Sequence, residues 1–121
     1  MAISRILVVD DSPTERFFLS ELLVKNGYLV SMAESGEEAV AQAKQTLPDL
    51  IVMDVVMPGM NGYQATRMIT KEEATKNIPV IMCTTKGQET DKVWGMRQGA
   101  KAYLVKPIKP EDLLAQIKAL G

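Results

Sequence analysis

Apolar positions along this chain alternate between short runs that are apolar throughout and longer stretches with apolar residues at helical spacing. Arg5–Val9, Leu50–Met53 and residues 79–83 (RILVV, LIVM, PVIMC) are too brief for helices and apolar on both faces. That pattern marks strands buried in a parallel sheet, where helices cover both sides. Leu29–Ala33 and Ala102–Val105 read as two further short strands.

The intervening stretches carry helix signals. Ser12-Pro13-Thr14-Glu15 reads as a capping box with Pro13 at the first helical position. It predicts a helix with Phe18, Leu19, Leu22 and Leu23 on its inner face, stopped near Asn26-Gly27. Ser35-Gly36-Glu37-Glu38 opens a second helix with Ala39, Val40 and Ala43 inward, broken at Leu47-Pro48-Asp49. Further helices are predicted over residues 63–71 and 88–98 and from Pro110 onward, the last with Leu113, Leu114, Ile117 and Leu120 on one face. Five strand–helix repeats with short connections predict an α/β fold, a doubly wound five-stranded parallel sheet with five helices. At 121 residues the chain is expected to be one domain, residues 1–121, with no output domain attached.

Composition narrows the function. A formal net charge of −1 gives no general attraction to nucleic acid or to a membrane surface. There is no signal-peptide pattern and no apolar run near the roughly 20 residues of a membrane span, so a cytoplasmic protein is expected. The single cysteine, Cys83, lies in an apolar run and is expected in the core. The chain has no histidine, so any histidine chemistry must come from a partner. Residues 1–84 carry eleven acids and seven bases, and residues 85–121 carry four acids and seven bases. The basic excess of the last third suits an acidic partner segment.

The residues at the carboxyl ends of the predicted strands form a set. The first strand ends at Asp10-Asp11, the third at Asp54, the fourth at Thr84 and the fifth at Lys106. Ligands of doubly wound sheets bind beyond those ends. Singly, each residue has an ordinary reading: Asp54 as a turn residue, Thr84 as a helix cap, Lys106 as a solvated strand end, Asp10-Asp11 as an exposed acidic loop. Jointly they place carboxylates, a hydroxyl and an ammonium in one crevice. Clustered carboxylates repel one another unless a hard cation joins them, and oxygen-only ligands suit Mg²⁺. A lysine and a threonine beside the cation complete a clamp for a phosphoryl group, with a carboxylate as its nucleophile.

This set, Asp10/Asp11, Asp54 within MDVVMPGMNG, Thr84 and Lys106-Pro107, resembles the receiver domain of two-component response regulators, the CheY-like family. The stretch TTKGQETDKVWGMRQGA is similar to that of regulators of type IV pilus twitching motility. The resemblance implies a flavodoxin-like strand order of 2-1-3-4-5. It implies that Asp54 accepts a phosphoryl group from a partner histidine kinase. Asp11, Asp54 and the Val56 backbone carbonyl are then ligands of Mg²⁺, and Asp10 acts through a bound water. Lys106 and Thr84 bind the phosphoryl oxygens, the Lys106–Pro107 peptide is cis, and Thr84 with Tyr103 forms the switch. In that switch Thr84 moves to the phosphoryl group and vacates space for Tyr103 to turn inward. The output face is built from the fourth helix, fifth strand and fifth helix, with Lys92, Trp94, Arg97 and Tyr103 on it.

Two positions fit the usual pattern loosely: Val56 stands where fast-hydrolysing receivers often hold a polar residue, and Lys86 stands two after Thr84. Thr85 also replaces the small residue usual after Thr84, narrowing access for the donor. The expected role is a stand-alone, monomeric phosphorylation switch in pilus or chemotaxis-like signalling. It is no enzyme beyond its own phosphotransfer and autodephosphorylation. A phosphate sink for a shared kinase and a phosphorylation-independent binding module are the alternatives.

Overall fold

The computed structural model describes residues 2–121. Strands β1 (Arg5–Val9), β2 (Leu29–Ala33), β3 (Leu50–Met53), β4 (Val80–Thr84) and β5 (Ala102–Val105) alternate with helices α1 (Pro13–Lys25), α2 (Gly36–Thr46), α3 (Gly62–Lys71), α4 (Glu89–Arg97) and α5 (Pro110–Leu120). The strands form one parallel sheet in the order β2-β1-β3-β4-β5, the expected CheY-like arrangement. The chain order reverses between β1 and β3, which opens the crevice at their carboxyl ends.

The apolar runs are buried on both faces, as their composition requires. Leu7 and Val9 of β1 pack with Ala39, Val40 and Ala43 of α2 and Ala65 and Ile69 of α3. Ile6 and Val8 point the other way, into Leu19 and Leu23 of α1 and Leu113 and Ile117 of α5. Residues Ile6 to Val9 are each 0–1% exposed. Each such apolar side chain contributes about 1.5–3 kcal/mol of transfer free energy, so β1 is the mechanical anchor of the crevice it ends in.

Several local expectations need correction. Phe18 is 45% exposed and does not share the inner face of α1, and neighbouring Phe17 is 67% exposed. Leu19 and Leu23, four apart, take the stripe against the sheet, and Phe18 is rotated about 100° from Leu19. Strand β2 has an open edge, so Leu29 and Met32 remain 68% and 49% exposed. Strand β4 starts one residue later than expected because Pro79 has no N–H to offer the ladder; it gives only its carbonyl, to Ile51 N–H at 3.0 Å. Helix α3 begins with a reciprocal capping box between Asn61 and Gln64. No helix among the described residues is long and apolar enough to cross a membrane.

Candidate functional site

The site is built by extending strand ladders one residue beyond the strands. Asp10 N–H donates to Ala33 O at 3.2 Å, Asp54 N–H to Val9 O at 2.9 Å and Lys106 N–H to Thr84 O at 2.8 Å. These backbone bonds fix the stems of three side chains at one end of the sheet. Asp10 is 1% and Asp54 6% exposed, and Asp11 is exposed above them. One carboxylate oxygen from each of Asp10, Asp11 and Asp54 lies within 4.8 Å of the others.

Lys106 reaches this cluster from the far side of the sheet. Its Nζ lies 2.9 Å from Asp10 Oδ2, 3.6 Å from Asp54 Oδ1 and 3.9 Å from Glu15 Oε1. Burial opposes the charge on Lys106, but the bond to Asp10 and the nearby Asp54 and Glu15 carboxylates outweigh it and raise its pKa. Asp54 is pushed up to about 6, first by burial and then by the charge of Asp10, with Lys106 opposing. One ammonium is therefore shared among several carboxylates, and the excess negative charge is what a hard divalent cation would neutralise.

The other expected residues are also placed. Thr84 is buried, and its Oγ1 accepts from Lys86 N–H at 3.2 Å. Val56 lies on the loop after Asp54 with its side chain 56% exposed. That loop folds back tightly: Gly62 N–H donates to Val55 O at 2.9 Å, and a Cβ on Gly62 would collide with the Asp54 carbonyl. The Lys106–Pro107 peptide is cis. Cys83 is buried behind the site, its thiol pushed up to about 12 by burial.

Lys92, Trp94 and Arg97 are exposed along α4, Trp94 at 49%. Tyr103 is not on that surface. It lies beneath α4, 7% exposed, with its hydroxyl donating to Lys86 O at 2.7 Å and 3.3 Å from the Tyr63 hydroxyl. Burial and the Tyr63 hydroxyl raise its pKa above the ordinary phenol value. In this structure Tyr103 is inward and Thr84 Oγ1 is bonded to Lys86 N–H at the same time. The space comes from Gly95, whose missing Cβ would come within 2.8 Å of both the Tyr103 ring and Met82 Sδ.

Three residues that sequence reasoning did not place at the site are there. Arg16 donates to Asp10 O at 2.7 Å and pairs with Glu34 at 3.5 Å, tying the end of β1 to the loop after β2. Tyr63 supports Tyr103, and nothing in its local pattern distinguishes it from an ordinary helix residue. Glu15 was expected to serve the α1 cap, yet only half of that box forms. Ser12 Oγ accepts from Glu15 N–H at 3.3 Å, but Ser12 N–H is taken by Asp10 Oδ1 at 2.9 Å. The Glu15 carboxylate faces Lys106 instead. The clue was its position beside an acid pair that could compete for the same N–H.

Comparison with known proteins agrees with this geometry. Residues 6–118 match the family model described as the response regulator receiver domain. The chain is 57% identical to the protein PilH of Pseudomonas aeruginosa over 97% of both sequences. Longer transcriptional regulators match at about 40% identity, and the chain spans about half of their length. The structure resembles the Vibrio cholerae chemotaxis protein CheY4 with a TM-score of 0.91 and 36% identity, covering 99% of this chain and 100% of that one. It also resembles the receiver domain of a Pseudomonas aeruginosa sensor histidine kinase with a magnesium ion coordinated in its active site cleft, with a TM-score of 0.90 and 31% identity over 98% of each chain. With its carboxylate cluster and shared lysine at the carboxyl ends of a 2-1-3-4-5 sheet, this chain belongs to the response regulator receiver family.

Proposed function

We propose that Asp54 is a phosphoacceptor and that this chain acts as a switch of the PilH kind, in pilus or chemotaxis-like signalling. The observation that carries the reading is Lys106 Nζ standing 2.9 Å from Asp10 and 3.6 Å from Asp54 inside a cluster of three carboxylates. A carboxylate with a raised pKa, held by a backbone bond and faced by an ammonium, is a positioned nucleophile.

The donor set fits Mg²⁺, which would neutralise the carboxylates and the developing phosphoryl charge. Asp10 already uses both carboxylate oxygens, one for Ser12 N–H and one for Lys106, each at 2.9 Å. Those bonds are compatible with the ligand set that membership of the family implies: Asp11 and Asp54 as direct carboxylate ligands, the Val56 carbonyl as a third protein donor and Asp10 acting through water. In the transfer, an Asp54 oxygen attacks the phosphorus of a phosphohistidine on the partner kinase. The new O–P bond forms as the P–N bond breaks, and the imidazole nitrogen keeps the electron pair and takes up a proton. Lys106 then pairs with the phosphoryl oxygens, and Thr84 donates its hydroxyl to one of them. The exposed Lys92, Trp94 and Arg97 on α4 offer the contact face for a downstream protein.

Intact-mass measurement after incubation with acetyl phosphate, with and without Mg²⁺, tests the acceptor. One phosphoryl adduct that requires Mg²⁺ and is absent in Asp54→Ala is expected. A Mg²⁺-dependent adduct that persists in Asp54→Ala would move the acceptor elsewhere.

A further inference from the structure

Glu15 is the one carboxylate near Lys106 that the proposed phosphotransfer does not use. Its side chain is 42% exposed, and its Oε1 stands 3.9 Å from Lys106 Nζ. It lines a groove of about 310 Å³ with Phe18, Lys106, Pro107 and Ile108, and Lys106 joins that groove to the acceptor, its Nζ 3.6 Å from Asp54 Oδ1. The position is imposed by competition for a single backbone donor. Asp10 Oδ1 holds Ser12 N–H, so Glu15 has no cap to close and its charge stays at the rim.

We propose that Glu15 is a specificity-determining residue for the phosphodonor. Its carboxylate adds negative charge at the mouth of the site and competes with the incoming phosphoryl group for Lys106. A small anionic donor arrives with no docking contacts to offset that repulsion, whereas a protein donor brings them. Discrimination of this kind works by a repulsive element aimed at the wrong partner. The proposal rests on Asp54 being the acceptor. With acetyl phosphate as donor, an Asp54 oxygen attacks phosphorus, the new O–P bond forms as the bond from phosphorus to the acetyl oxygen breaks, and acetate leaves with the electron pair.

The test compares the wild type with Glu15→Gln and Glu15→Asp, using acetyl phosphate at saturating Mg²⁺. Glu15→Gln is expected to raise the second-order phosphorylation rate about three- to tenfold at low salt. The gain should shrink at about 0.5 M salt, where the Debye length is roughly 4 Å. Glu15→Asp, which keeps the charge, should stay near the wild-type rate. A second readout is Mg²⁺ affinity by NMR titration: removing a carboxylate attracts anions but weakens cation binding, so Glu15→Gln should bind Mg²⁺ about two- to threefold less tightly. Opposite signs for donor and metal distinguish a charge effect from local misfolding, which would weaken both. An adduct forming at equal or lower rate in Glu15→Gln, or an equal gain in Glu15→Asp, overturns the proposal alone. No Mg²⁺-dependent adduct in any variant overturns the acceptor assignment and the proposal with it.

Discussion

Tyr63 and Tyr103 meet hydroxyl to hydroxyl, 3.3 Å apart, beneath α4, and the Tyr103 hydroxyl donates a hydrogen bond to Lys86 O at 2.7 Å. Tyr63 in turn lies 3.2 Å from Asp91 O. The pair thus ties α3 and β5 to the loop and first turn around α4. Tyr103→Phe leaves Lys86 O without this donor and should cost about 0.5–1.5 kcal/mol in urea unfolding. Faster amide exchange at Lys86 and Gly87 is the local signature. Tyr63→Phe keeps the Lys86 bond and should cost less; equal costs would mean that the Tyr103–Lys86 link is not what holds the loop.

Gly95 sets two effects against each other. Alanine is favoured over glycine inside a helix by about 1 kcal/mol. Here, however, a Cβ would come within 2.8 Å of the Tyr103 ring and Met82 Sδ, both buried. Overpacking of that kind costs about 1–3 kcal/mol, so the clash wins. Gly95→Ala should lower stability and shift the Tyr103 ring resonances toward a solvent-exposed position. A stabilised variant with unchanged ring shifts would show that the pocket can expand.

The pH dependence of stability in chelator should bear the mark of Asp54. Its pKa is raised from 3.8 to about 6, so between those values the folded chain binds more protons than the unfolded one. Stability therefore falls as pH rises from about 4 to about 7, by on the order of 1–3 kcal/mol at most. Asp54→Asn should flatten that slope and be the more stable protein at neutral pH. Adding Mg²⁺ should stabilise the wild type at neutral pH, because a ligand of the folded state alone shifts unfolding by mass action. Asp49 acts with the opposite sign. Backbone bonds from Arg5 and Ser4 lower its pKa, so its contribution is present at neutral pH and lost as pH falls into the acid range. Urea titrations from about pH 3 to about pH 8 separate the two.

Val56 is expected to lengthen the lifetime of the proposed phosphoryl group. Its side chain projects from the loop two residues after Asp54, and an aliphatic group there cannot orient an attacking water. Val56→Asn should speed dephosphorylation several-fold, read as loss of the adduct by intact mass over time. An unchanged or longer lifetime would locate the slow step elsewhere.

Gly62→Ala tests the tight return of the acceptor loop. The added Cβ would strike the Asp54 carbonyl and the Val55 backbone, neither of which is a flexible side chain. A cost of about 1–3 kcal/mol is expected, with weaker Mg²⁺ binding because Asp54 is displaced. Full Mg²⁺ affinity in this variant would mean that the loop adjusts without moving the carboxylate.

The sequence alone determined the five strand–helix repeats and the residues that close the strands. Those signals are local: runs too short for a helix yet apolar on both faces, Ser12 and Ser35 as caps, prolines and glycines as breaks. With the repeats in place, Asp10, Asp54, Thr84 and Lys106 had to fall at one end of a parallel sheet. Only the tertiary structure decided how they share their charges. Lys106 and Asp10 are 96 residues apart in the chain, and nothing local says that the ammonium holds Asp10 at 2.9 Å more closely than Asp54 at 3.6 Å. Ser12 N–H can serve Glu15 or Asp10 but not both, and the end of β1 settles that contest for Asp10. Tyr103 turns inward because Gly95, on a different element, leaves room for its ring. In each case a single donor or a single gap is contested by groups that meet only after folding. Local pattern names the contestants, and three-dimensional proximity chooses between them.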